Sequence, residues 1–170
     1  MIFTPDPLTG VNCIFVAFVL WVIAGNLQGK VGVKETAFLC LLTGFINGST
    51  AIYNLFILNN PLGFGAFLLF AFTYFFFAMD LLGGAESAVG LGKFCCGVAI
   101  TTIPYAILYI TQVDTIQGII WLIWGQLWFL FYLANARGVK KVVPFMIIDT
   151  YCVAIIQFLY SVFHHVFGYF

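Results

Sequence analysis

The sequence predicts an all-α integral membrane protein with six transmembrane helices. Three observations carry this expectation. The chain of 170 residues is 64% hydrophobic and only 7% charged, whereas a soluble domain carries roughly a quarter charged residues. A domain of this length hides only about 70% of the surface that its unfolded chain exposes, so this much apolar surface needs a bilayer as its solvent. The apolar residues also form six continuous runs, each near the ~20 residues that a helix needs to cross a membrane. The runs lack the alternating polarity of barrel strands, and the short loops leave no room for a soluble domain. Residues 1–170 therefore read as a single six-helix membrane domain.

Span 1 covers residues 11–27, after a turn at Pro5 and Pro7. The N-terminus has no basic region and no small-residue cleavage site, so no removable signal peptide is expected. A Gly-rich loop with Lys30 and Lys34 leads to span 2, residues 36–58. The middle of span 2 is small and polar (Gly44, Asn47, Gly48, Ser49, Thr50, Asn54), a pattern that lets helices approach closely. Span 3 covers 64–82 and ends near Asp80. Span 4 covers 88–110, with Lys93 near its start and Pro104 in its interior; that proline kinks the helix or is relieved by a neighbour. Span 5 covers 116–134 and span 6 covers 143–163, with Asp149 inside it and His164 and His165 just beyond.

All six basic residues lie at alternate loops. Lys30 and Lys34 follow span 1, Lys93 lies beside the loop after span 3, and Arg137, Lys140 and Lys141 follow span 5. The positive-inside rule puts those loops in the cytoplasm and both termini outside. No internal repeat is evident. Three hairpins of consecutive spans, 1–2, 3–4 and 5–6, each with its basic turn inside, are the expected packing units.

Nothing in the chain resembles an enzyme site. It has no Gly-rich phosphate loop, no His-Glu cluster and no serine beside a base. The net charge of zero gives no reason to expect a nucleic acid partner. No metal or cofactor is expected either. Cys95 and Cys96 are adjacent, which suits neither a zinc knuckle nor a haem motif, and all five cysteines read as buried thiols. His164 and His165 read as interfacial residues, or more sharply as proton sensors, since histidine titrates near pH 6.5.

Two aromatic stripes stand out. Trp121, Trp124 and Trp128 share one helical face with Leu127, and Phe70, Tyr74 and Phe77 share another. Aromatic residues commonly form belts at the two membrane interfaces, but Trp124 and Trp128 sit too near the middle of their span for that. Packing towards lipid or a neighbouring helix is one reading. The favoured one is a narrow aromatic lumen whose sparse polar groups are Tyr74, indole N–H groups and nearby threonines. Rings let a small neutral solute slide past, while an ion would lose its hydration with nothing to replace it. Asp149 lies about 12 Å along the helix from the basic loop. A carboxylate there costs on the order of 3 kcal/mol, so it either bonds to another helix or faces the pore.

These segments together resemble the AmiS/UreI family of bacterial urea and short-chain amide channels. The resemblance rests on Leu-Leu-Phe-Ala-Phe-Thr-Tyr at 68–74, Thr-Ile-Pro at 102–104 and Ile-Ile-Trp-Leu-Ile-Trp-Gly-Gln-Leu-Trp at 119–128. Gly-Lys-Val-Gly-Val-Lys-Glu-Thr-Ala at 29–37 and Ile-Ile-Asp at 147–149 are also similar. It implies a twisted six-helix bundle with its own pore, a homohexameric ring, and passive permeation of urea or a small amide across the cytoplasmic membrane. A functional link to a cytosolic urease or amidase is implied as well. By motif position, Phe70 and Tyr74 on span 3 and Trp121, Trp124, Leu127 and Trp128 on span 5 correspond to constriction residues, and Asp149 to a pore-side acid.

One departure bears on regulation. Acid-gated members of the family carry a long external loop after span 2, rich in histidine and carboxylates. Here that loop is Asn59-Asn-Pro-Leu-Gly63, without a titratable group, and the loop after span 4 offers only Asp114. The channel is therefore expected to be open near neutral pH, with only His164 and His165 left to sense acid. Two other classes compete with a channel: a membrane assembly subunit that conducts nothing, and a proton-coupled transporter using Asp149. Coupling normally needs more than one buried titratable site.

Overall fold

The computed structural model describes residues 7–168, all of them in helices and the turns between. The Pro5 end of the expected N-terminal turn and the last two residues of the tail lie outside the described residues. Six helices, α1 Pro7–Leu27, α2 Val33–Phe56, α3 Pro61–Leu81, α4 Val89–Leu108, α5 Thr115–Asn135 and α6 Val143–Tyr160, are long and apolar enough to cross a membrane.

The ends of the helices follow from local chemistry. Helix α3 begins with Pro61, whose missing N–H is no loss in a first turn, and Asn60 caps it by accepting from the Gly63 N–H at 3.0 Å. Helix α5 is capped by Asp114, which accepts from the Ile116 N–H at 2.9 Å. Gly29 ends the turn after α1 with a φ of 72°, a left-handed conformation that favours glycine. Helix α4 runs unbroken through Pro104. It then loosens into a π turn, Tyr109–Val113, and α6 ends in a second one, Ser161–Val166. The expected spans recur with shifted ends. Helix α1 starts at Pro7, ahead of residue 11, and the two π turns lengthen spans 4 and 6.

The pairing of the helices differs from the hairpins expected at the basic loops. The most extensive contacts join α2 to α3, α4 to α5 and α1 to α6. Glycine placement gives the reason. A Cβ on Gly118 would sit 2.8 Å from the Ile110 backbone nitrogen and 2.9 Å from the Ala106 carbonyl oxygen, so α4 and α5 lie backbone to backbone. Gly44 makes room between α2 and α3 for a side chain, since a Cβ there would meet the Phe75 ring at 2.8 Å. Gly10 lets α1 approach His165. The start of α1 and the end of α6 thus share one end of the bundle.

Polarity runs from inside to outside in the reverse of a soluble protein. Asn12, Thr43, Asn47, Asn54, Thr102 and Gln157 are buried, while Phe38, Phe45 and Phe56 on α2 and Ile100, Ile103 and Ile107 on α4 are exposed. Such an exterior is stable only in an apolar medium, where backbone groups must be satisfied within each helix.

Gly118→Ala should lower the stability of the detergent-solubilised protein by about 1–3 kcal/mol, since the added methyl meets backbone that cannot rotate away. Gly48→Ala, where a Cβ meets nothing within 4 Å, should leave the thermal midpoint within a degree or two of the parent (about 0.5 kcal/mol or less).

Candidate functional site

A cavity of about 430 Å³ opens between the helices at the end of the bundle that carries the start of α1 and the end of α6. Thr9, Cys13 and Val16 of α1 form one side. Asn47 and Asn54 of α2, Phe67 and Phe70 of α3, Trp121 and Trp124 of α5, and Gln157 of α6 form the rest of its inner wall. Helix α4 reaches it only through Tyr109 in the π turn.

The inner end of the cavity is a cluster of rings. Phe70 lies 4.7 Å from Trp124 at 86°, 5.0 Å from Trp128 and 6.1 Å from Trp121. Trp124 and Trp128 are 5.1 Å apart, and Trp121 packs on Tyr105 at 4.6 Å. Edge-to-face and tilted pairs of this kind contribute about 0.5–1.5 kcal/mol each beyond their burial. The predicted site residues divide at this cluster. Phe70, Trp121 and Trp124 line the cavity. Tyr74, Leu127 and Trp128 lie one turn further along their helices and are buried in the core, and the Tyr74 hydroxyl has no hydrogen-bond partner among the described residues. Phe77 and Phe131, edge-on at 5.0 Å, continue the ring stack.

Trp124 is held in place. Its indole N–H donates to Gln157 Oε1 at 2.8 Å. Gln157 Nε2 donates to Ser161 Oγ at 3.0 Å, and that hydroxyl donates back to the Gln157 carbonyl at 2.6 Å. Trp121 Nε1, by contrast, has no partner among the described residues.

The polar part of the wall consists mainly of carboxamides (Asn47, Asn54, Asn60, Gln117 and Gln157) beside the indoles of Trp121 and Trp124, where the sequence suggested Tyr74, indole N–H groups and threonine hydroxyls. Thr73, Thr50 and Thr150 instead donate to carbonyls of their own helices. The sequence did signal two of these carboxamides: Asn47 and Asn54 are seven residues apart, and so on one helical face, yet they read there as close-packing residues. Gln157 carried no signal in the sequence that set it apart from the other polar residues of span 6.

At the mouth, Asp114 joins three elements. Besides capping α5, its Oδ2 accepts from the Tyr160 hydroxyl at 2.9 Å and lies 3.2 Å from His164 Nε2, a contact that is ionic when the histidine is protonated. The His164 ring stacks on Tyr160 at 4.7 Å and 17°, and His165 meets Tyr160 edge-on at 5.1 Å. Both histidines are buried, so the interfacial reading is corrected. The π turn that carries them continues α6 and packs against α1.

Asp149, like Tyr74, Leu127 and Trp128, is not among the residues that line this cavity. It sits at the flank of α6, where its Oδ1 accepts from Gln126 Nε2 at 3.0 Å, and Gln126 is exposed on the outer side of α5. The reason is helical phase: α6 turns Met146, Thr150, Val153 and Gln157 inward, which puts Asp149 to one side. Among the described residues no three His, Cys, Asp or Glu side chains come together as a metal site.

Comparison with known proteins agrees with this architecture. The model of the AmiS/UreI family of transporters matches residues 8–162. Over 133 residues, 75% of this chain and 64% of the relative, the sequence is 32% identical to a Rhodococcus erythropolis protein named as transporter protein AmiS2. Over 71 residues, 41% of this chain and 33% of the relative, it is 35% identical to a Mycolicibacterium smegmatis protein named as a transporter of amidate substrates. The matched stretches thus span less than two thirds of either relative. The fold is that of the urea channel of Helicobacter pylori. The crystal structure of that channel covers 95% of this chain and 99% of its own at a TM-score of 0.78 and 24% identity. A cryo-electron microscopy structure of its closed state covers 92% of each chain at a TM-score of 0.70 and 22% identity.

Gln157→Leu should leave the Trp124 N–H buried without an acceptor and cost about 1–3 kcal/mol. Thermal unfolding in detergent, followed by tryptophan emission, reads both the lost stability and the changed surroundings of the indole.

Proposed function

Because the chain belongs to the AmiS/UreI family of channels and transporters for urea or amides, we propose that it is a passive urea channel of the bacterial cytoplasmic membrane. The observation that carries this reading is the cavity that narrows onto Phe70 among three indoles. Urea is planar, neutral and small. Its faces slide on rings, while its N–H and C=O groups meet the carboxamides of the opposite wall. An ion finds no coordinating oxygens between the rings to replace its water shell. In this reading Phe70, Tyr74, Trp121, Trp124, Leu127 and Trp128 form the constriction, and the whole chain is one channel domain.

The protomer carries its own pore, and six protomers form a ring. Both termini face outwards, because every lysine and arginine lies at the opposite end of the bundle. The permeant feeds a cytosolic urease or amidase. A second reading, a channel for short-chain aliphatic amides, is favoured by the name of the amidate transporter among the relatives. Urea and acetamide differ by about one methyl-sized group, worth only ~1–3 kcal/mol in a pocket.

Trp124→Ala should open the constriction and reduce the selectivity for urea over larger solutes by about tenfold, the equivalent of ~1.4 kcal/mol, in stopped-flow shrinkage of proteoliposomes. If Trp124→Ala and Tyr74→Ala both leave urea flux and selectivity unchanged, the aromatic lumen is wrong. Purified protein that gives no flux above bare liposomes would point instead to an assembly subunit.

The channel should also conduct at neutral pH. The loop between α2 and α3 holds no titratable group, and His164 already lies against Asp114. Urea uptake at pH 7.5 and pH 5 should therefore agree within about tenfold (~1.4 kcal/mol in an open–closed equilibrium). A larger rise on acidification would overturn this expectation.

A further inference from the structure

We infer that Asn47 is the acceptor that binds the permeant's N–H groups, and that with the Trp121 indole N–H it forms a subsite for a urea or primary carboxamide group. This rests on the channel reading above and deepens it.

Asn47 is fully buried in the middle of α2 and lines the cavity. Its Nδ2 donates to the Thr43 carbonyl at 2.8 Å. That bond fixes which end of the carboxamide is which, and leaves Oδ1 as the end without a partner among the described residues. A buried, unsatisfied carbonyl costs about 1–3 kcal/mol, so such a position persists where a mobile partner can reach it. Asn54, two turns away on the same face, makes the contrast. Its Nδ2 donates to the Thr50 carbonyl at 3.0 Å and its Oδ1 accepts from Asn60 Nδ2 at 3.1 Å. It is a structural residue with its acceptor engaged.

The same division holds for the donors. The Trp124 N–H is engaged by Gln157, while the Trp121 N–H is spare. The cavity thus holds a spare acceptor on α2 and a spare donor on α5. The two helices are not packed against each other, so the two groups reach the cavity from separate walls. The complement is a molecule with an N–H group at one end, a carbonyl at the other and flat faces for Phe67 and Phe70. Urea and primary amides have that form. A polyol lacks the flat face, and a fully N-methylated amide lacks the N–H.

The test is a pair of nearly isosteric variants in proteoliposomes, Asn47→Thr and Asn47→Val. Threonine can donate to the helix carbonyl, as Thr50 does to Ile46 at 2.9 Å, and still present lone pairs to the cavity. Valine has the same shape and no acceptor. Urea permeability should stay within about threefold of the parent for Asn47→Thr and fall about tenfold for Asn47→Val (~1.4 kcal/mol, one hydrogen bond). Osmotic water permeability should stay within about twofold for both, because water does not need this acceptor to pass. Trp121→Phe, which removes the donor alone, should lower urea permeability by a similar factor, and decides the matter should the Asn47 pair not assemble. Equal urea permeability of the threonine and valine variants, or an unchanged Trp121→Phe, overturns the subsite. A parent protein that passes no urea and no amide defeats the channel reading itself, an outcome separate from the other two.

Discussion

The ring of Phe70, set among the indoles of Trp121, Trp124 and Trp128 at centroid distances of 4.7 to 6.1 Å, does the work of a backbone contact where none exists. Helices α3 and α5 are not packed directly against each other, and the four rings bridge the space between them. Aromatic side chains suit this because they have few rotatable bonds and large, stiff faces. The arrangement is fixed further by Gln157, which ties one of the indoles to α6. Helices α3 and α5 are thus registered through side chains, and the rings form the inner end of the cavity.

Around that cluster the molecule separates two kinds of polar group. Most of the buried hydroxyls and carboxamides are committed to carbonyls of their own helices, as Thr43–Asn47, Ile46–Thr50 and Thr50–Asn54 illustrate along α2. A few atoms are left over, and two of them, Asn47 Oδ1 and Trp121 Nε1, belong to residues that line the same cavity. In a medium without water each leftover group is costly, and these two differ from leftover atoms elsewhere, such as those of Asn12 and Thr43, in that they belong to residues lining the cavity.

Much of this was legible in the sequence, and the limits have physical causes. Six apolar runs gave six helices, because hydropathy over ~20 residues is a strong signal in a membrane. The i, i+3, i+7 spacing placed three tryptophans on one face, and the structure turns that face inward. The pairing of helices was not legible. Charge at the loops reports the orientation of a span, whereas neighbours are chosen by the close approach that Gly44 and Gly118 allow. Nor could spacing find the Asp114–Tyr160–His164 cluster, in which Asp114, in the turn before α5, lies 46 residues from Tyr160 at the end of α6 and further from His164 in the π turn. Asp149 shows another limit. Depth along a helix does not fix the direction around it, and a rotation of one residue separates the buried Thr150 from Asp149, which bonds to Gln126.

The three close-packed pairs have a mechanical consequence. The α4–α5 backbones touch at Gly118 and Gly44 seats α2 on the Phe75 ring of α3, whereas the seams α3–α4 and α5–α6 are thinner. Phe70 rides on one rigid pair and the three indoles on another. The separation of Phe70 from the indoles therefore depends on the spacing of two helix pairs as much as on any rotamer. The outer faces of those pairs carry the exposed Phe38, Phe45, Ile100 and Ile107. Lateral stress on those faces would act on the ring cluster through the pairs as wholes.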